Sequence, residues 1–187
     1  MPPDAARRSE QSRRATLAAA LELVEALGHA GLTIEAVAAR AGVGKQTIYR
    51  WWPSKGALLF EAFLEFEPGG REPPRPSALA DDLRRAVADA IDEVTQRRFD
   101  QVCRLLVHEE RADLLALLMA PRRLAVEERL RRAQLLGEIS ADLDVVAAAE
   151  LLLGPVYQRW LLRSAPLCDS FADTLVELVL RSLRGGP

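Results

Sequence analysis

No stretch of this chain alternates apolar β-branched and polar residues at the period of two that a half-buried strand requires; its alanines and leucines recur at spacings of three and four instead. That pattern confines the chain to helices packed on helices. At 187 residues it can bury a core without staples. Its two cysteines, Cys103 and Cys168, match no CxxC or Cys/His metal spacing, and free thiols suit a reducing compartment. The expectation is an all-α protein of about nine helices.

The first helix is expected over Glu10 to Leu27, with Leu17, Ala20, Leu21, Val24 and Leu27 as one apolar stripe and Gly28 to Gly31 ending it. Thr33 then caps a helix from Ile34 to Ala41 that buries Ile34, Val37, Ala38 and Ala41. Gly42 follows as the residue best able to take a left-handed conformation. A third, short helix runs from about Gly44 until Pro53, and Ser54 caps a fourth from Lys55. Pro68 to Ser77 carries four prolines and two glycines and is the expected boundary between a domain of residues 1–67 and one of 68–187. Beyond it, Leu79, Leu83, Ala86, Val87, Ala90, Ile91 and Val94 mark a long amphipathic helix. Others are expected at about Phe99 to Glu110 and Ala112 to Ala120. Another opens with Pro121 in its first turn and reaches Leu136. In it the Glu127/Arg131 and Glu128/Arg132 pairs, at i,i+4, read as a solvated face.

The short third helix carries the functional signal. Ile48 and Trp52 share one face, with Val43 before it and Trp51 on its shoulder, while Lys45, Gln46, Thr47, Tyr49 and Arg50 point the other way. A helix that enters a DNA major groove needs this division: apolar anchors inward, donors outward. Gln46 suits a bidentate contact with adenine, and Lys45 can donate to guanine or to phosphate. Thr33, Thr47, Tyr49, Arg50 and Lys55 suit phosphate oxygens, which set register without reading sequence. The net charge of −2 conceals an asymmetry that agrees. Up to Lys55 eight basic residues face five acidic ones, leaving +3 there and −5 in the remainder.

The segment from Thr16 to Phe63 resembles the DNA-binding domain of the TetR family of bacterial transcriptional regulators along its whole length. The likeness lies in Gly31 and Thr33 before the second helix, the AxxAGV turn at Ala38 to Val43, KxTxY at Lys45 to Tyr49, and PSK at Pro53 to Lys55. Three departures stand out. Gly44 replaces a serine that usually caps the recognition helix, Trp51 and Trp52 replace a histidine or tyrosine followed by phenylalanine, and Gly56 stands where a helix former is usual. The resemblance implies an N-terminal three-helix helix-turn-helix domain, with its recognition helix at about residues 44–52, followed by a helical effector-binding and dimerisation domain. It further implies a cytoplasmic homodimer on a palindromic operator in double-stranded DNA, most often a repressor released by a small molecule of unknown identity.

The last two helices support a dimer independently. Asp144 to Leu162 is apolar almost all round, and Phe171 to Leu183 has a broad apolar surface. A partner copy using the same helices would bury the surplus. Val146, Glu150, Leu151 and Gln158 of the first, with Phe171, Leu175, Leu178 and Ser182 of the second, are the candidate interface; two central core helices of a monomer are the alternative. Phe99, Cys103, His108, Met119, Tyr157 and Trp160 are candidate pocket residues for a hydrophobic or flexible effector. A regulator without ligand, controlled by a protein partner or by abundance, accounts for the same sequence. No catalytic constellation, metal site or cofactor motif is expected: His29 and His108 belong to no HExxH pattern, and no phosphate-binding glycine loop occurs. The N-terminus lacks a signal-peptide apolar stretch, and no apolar run approaches membrane-span length, so no membrane partner is expected.

Overall fold

The computed structural model describes residues 3–66 and 78–183, and the boundary expected at Pro68 to Ser77 lies outside them. Among the described residues there are nine helices and no strand. They are α1 (Pro3–Gly31), α2 (Ile34–Ala41), α3 (Lys45–Trp51), α4 (Lys55–Phe66), α5 (Leu79–Thr95), α6 (Arg97–His108), α7 (Ala112–Leu135), α8 (Val145–Leu162) and α9 (Asp169–Leu183). The described residues of Met1–Gly70 and Arg97–Leu118 cluster in one compact unit, and those of Arg71–Gln96 and Met119–Pro187 in another.

In the first unit, Leu17, Ala20, Leu21 and Val24 of α1 are buried as their spacing requires, and they share a core with Ile34, Val37 and Ala38 of α2, Ile48 of α3 and Leu58, Leu59 and Ala62 of α4. The stripe ends sooner than expected. The chain turns at Gly28, whose φ of 74° breaks the regularity of α1, and Leu27 beside it is 54% exposed. Helix α6 lies against α1 and α4, with the Phe99 ring edge-on to Phe63 at 5.6 Å.

Two polar groups seat α6 against glycines. Gln101 Oε1 accepts from the His29 backbone N–H and from His29 Nδ1, both at 2.8 Å, beside Gly28. Glu109 Oε2 accepts from the Gly56 N–H at 2.9 Å at the start of α4. A Cβ on Gly56 would sit 2.6 Å from that same oxygen and 3.2 Å from Leu106 Cδ2. Gly56 therefore makes room for a charged N-terminal cap from the residue that follows α6, which explains why a helix former is missing there.

In the second unit the core is formed by Leu83, Val87, Ala90 and Val94 of α5, Val126, Leu130 and Ala133 of α7, Leu152, Leu153, Val156 and Trp160 of α8, and Val176, Val179 and Leu183 of α9. Two expectations fail here. Pro121 does not open a helix but lies inside α7, where its missing N–H removes one hydrogen bond without ending the helix. Glu127 is not a solvated charge: it is 2% exposed, paired with Arg123 and with Arg131 at 2.7 Å. A carboxylate this deep needs both cations to offset its lost hydration.

Candidate nucleic-acid interface

The reading face is assembled from the turn outward. Thr33 Oγ1 accepts from the Ala36 N–H at 3.1 Å and so fixes the start of α2. Gly42, at φ 68°, closes its end, and the Val43 N–H returns to the Ala38 carbonyl at 3.1 Å. Gly44 begins α3 with extended backbone and no side-chain cap; its carbonyl accepts from Thr47 and Ile48. The weaker cap inferred from sequence is what the structure has.

From this start Ile48 is fully buried and Trp52 is 3% exposed, while Lys45, Gln46, Tyr49 and Arg50 are exposed and Thr47 is half-buried. The expected division of the short helix into an anchored face and a donor face is therefore present. Arg50 lies with its guanidinium carbon 5.9 Å from the centre of the half-buried Trp51 ring, which steadies the side chain without consuming its donors. Lys55 is half-buried and donates from Nζ to the Leu32 carbonyl at 3.2 Å, so it clips the α1–α2 loop to the start of α4 and keeps two further N–H donors.

Two parts of this site escaped sequence reasoning. The first holds the far end of the reading helix: the Trp52 indole N–H donates to Glu61 Oε2 at 2.7 Å, and Arg13 pairs with the other oxygen of that carboxylate and with Glu10 and Glu65. A tryptophan where phenylalanine is usual brings a donor that needs an acceptor, and this was the available clue. The second is Glu35, in the first turn of α2, whose Oε1 accepts from Lys45 Nζ at 2.8 Å. That hydrogen bond holds the Glu35 carboxyl below its ordinary range and raises the Lys45 ammonium, so both are ionised at neutral pH.

The other candidate residues divide between the two units. Phe99 and Cys103 are buried in the core of the first, and His108 is exposed at the end of α6. In the second, Trp160 is buried, and Met119 and Tyr157 are half-buried. Of the candidate interface residues, Val146, Glu150, Leu151, Gln158, Leu178 and Ser182 are exposed, and Phe171 is half-buried beneath the Arg159 guanidinium at 3.6 Å. Leu175 is only 7% exposed, spent largely on its own subunit's core. No helix of the described residues is long and apolar enough to cross a membrane.

Comparison with known proteins gives two family matches. Residues 17–62 match the family described as bacterial regulatory proteins, tetR family, and residues 73–179 match the tetracyclin repressor-like C-terminal domain. The HTH-type transcriptional regulator Rv1556 of Mycobacterium tuberculosis is 31% identical over 169 residues, 88% of this chain and 83% of its own. YdeS of Bacillus subtilis, described in the same terms, is 28% identical over 174 residues, 90% of this chain and 88% of its own. The crystal structure of the TetR family transcription regulator SCO0332 superposes with a TM-score of 0.70 at 34% identity, covering 91% of this chain and 97% of the other. FadR of Bacillus subtilis in complex with stearoyl-CoA shares the fold at a TM-score of 0.66 and 18% identity, covering 89% of this chain and 96% of the other.

Proposed function

Because this chain belongs to the TetR family of DNA-binding transcriptional regulators, we propose that it works as a homodimeric repressor that binds a palindromic operator and is released by a small-molecule effector. It regulates transcription and is not an enzyme. The observation that carries the DNA half of the proposal is the exposed row of Lys45, Gln46, Tyr49 and Arg50 over a buried Ile48 and Trp52. In this reading Gln46 meets a base edge, Lys45 meets a guanine edge or a phosphate, and Thr33, Thr47, Tyr49, Arg50 and Lys55 meet phosphates.

Residues 1–67 read DNA in this proposal, and residues 68–187 bind the effector and dimerise. The dimer rests on an uncovered line along α8, formed by Ala147, Leu151, Gly154, Gln158 and Leu162, all exposed, beside Thr174, Leu178 and Ser182 of α9. These positions recur at three and four residues, the spacing of a helix face that packs on another helix, and a second copy presents the same surface. Two-fold symmetry then sets the reading helices about one DNA turn apart, roughly 34 Å.

In this reading the effector lies among the helices of the second unit, with Met119, Tyr157 and Trp160 as candidate contacts, while the further candidates Phe99, Cys103 and His108 belong to the first unit. The stearoyl-CoA complex of FadR and the flavonoid-responsive regulator FrrA, which share this fold, make a largely apolar ligand the class to test. An effector that weakens operator binding a hundredfold must favour the released state by about 2.7 kcal/mol, within reach of one buried apolar molecule. The protein acts in the cytoplasm in this account, where its DNA is.

Selection of bound sequences from random duplex DNA by the purified protein tests the proposal. A palindrome with half-site centres about ten base pairs apart, or a multiple, is expected. Enrichment of single half-sites without symmetry would refute the dimer, and no enrichment at all would refute sequence reading.

A further inference from the structure

Lys45 has two possible partners on DNA, a phosphate and a guanine edge, and the structure supplies the reason to choose. Its ammonium is tied to Glu35 at 2.8 Å, with the lysine side chain 53% exposed and the glutamate 63%. An exposed pair of this kind adds little to the stability of a fold, so stability is not a sufficient account of it. Its position is informative. Lys45 is the first residue of α3 and Glu35 lies in the first turn of α2, so the carboxylate stands at the N-terminal end of the reading helix. Base contacts in helix-turn-helix proteins come from that end.

A carboxylate there has two effects on a polyanion. It cancels one positive charge at the point of closest approach, which lowers attraction to any duplex. It also makes the phosphate option expensive, because a phosphate on the same ammonium would stand close to the Glu35 carboxylate and the two anions repel, whereas a guanine edge is neutral. The guanine option has no such cost: a lysine ammonium carries three N–H donors, one stays on Glu35, and two remain for O6 and N7.

We infer that Glu35 is a specificity-determining residue that acts through Lys45, holding the ammonium to a guanine edge and suppressing its use as a general phosphate contact. The inference rests on the DNA-reading face proposed above. It also removes the ambiguity in the role of Lys45, which residue type alone leaves open.

The test uses the full-length protein and four versions of it: wild type, Glu35→Gln, Lys45→Gln and the double variant. Each is titrated onto the duplex recovered by selection and onto a shuffled duplex of the same composition, between about 50 and 200 mM salt. Glu35→Gln should bind the shuffled duplex several-fold more tightly and steepen the salt dependence by about 0.9 in log–log slope, the signature of one added phosphate contact. Its preference for the selected duplex should fall by at least about five-fold, the lower range for one lost base contact. In the Lys45→Gln background the same exchange should leave the slope unchanged. An unchanged preference and slope in Glu35→Gln would overturn the inference, as would an equal change with and without Lys45, which would make Glu35 a simple repulsive charge. A wild type that binds the two duplexes alike would instead overturn the DNA-reading proposal itself, and this inference with it.

Discussion

Gly56→Ala separates two accounts of one residue by the sign of its effect. If Gly56 were only a poor residue in the first turn of α4, alanine would stabilise the helix by about 0.5–1 kcal/mol. The structure argues the opposite. The new Cβ would stand 2.6 Å from Glu109 Oε2 and 3.2 Å from Leu106 Cδ2. The glutamate end can swing away, but only by giving up the 2.9 Å bond it accepts from the Gly56 N–H. A hydrogen bond to a charged group contributes about 1.5–3 kcal/mol, so after the helix gain is subtracted the variant should be destabilised by about 0.5–2.5 kcal/mol. For a chain of this size that corresponds to a fall of roughly 1–10 °C in Tm. The assay is urea unfolding at fixed protomer concentration, since dimerisation would otherwise shift the midpoint. A Glu109→Ala background supplies the control: with the carboxylate gone, Gly56→Ala should become neutral or stabilising. A Gly56→Ala protein more stable than wild type with Glu109 intact would refute the cap.

Trp52→Phe should cost about 1–3 kcal/mol by urea unfolding, from the volume lost in the core and from the bond to Glu61, and Glu61→Ala should cost less in that variant than in wild type. Gln46→Ala should reduce discrimination between the selected and a mutated operator by about 1–3 kcal/mol, whereas Lys55→Ala should weaken binding to all duplexes and flatten the salt slope; equal effects of both changes on specific and nonspecific DNA would refute the division of roles. Leu178→Asp and Leu151→Asp, at positions 58% and 54% exposed, should leave the subunit folded but yield monomers by sedimentation that bind the operator poorly, and an unchanged dimer would place the interface elsewhere. A charge at Leu175 would unfold the subunit before it informed on any interface, because that side chain is already buried at 7%.

What was legible in the sequence was what depends on neighbours along the chain. Helical spacing located Leu17 to Val24 and Ile34 to Ala38, the Thr33 cap and the left-handed Gly42, and the outward row of Lys45 to Arg50 followed from the burial of Ile48 and Trp52. What was not legible depends on groups distant in sequence. Gly56 meets Glu109 across 53 residues, and Trp52 finds Glu61 nine residues on, across the turn between α3 and α4. Glu127 looked like half of an i,i+4 pair on a wet face, since spacing does not say which face another helix will cover. Pro121 misled for a related reason: proline favours a helix start, but a helix that packs well on either side tolerates the loss of one hydrogen bond. Leu27 fits the stripe by count, yet the backbone turn at Gly28 takes it out of the core.

The central claim is that the side chains of Lys45 to Arg50 enter the major groove, and methylation interference on the selected duplex tests it most directly. Guanine N7 lies in the major groove, so its methylation inside either half-site should abolish binding, while methylation between or beyond the half-sites should have little effect. Undiminished binding to duplexes methylated throughout both half-sites would show that this face reads nothing there.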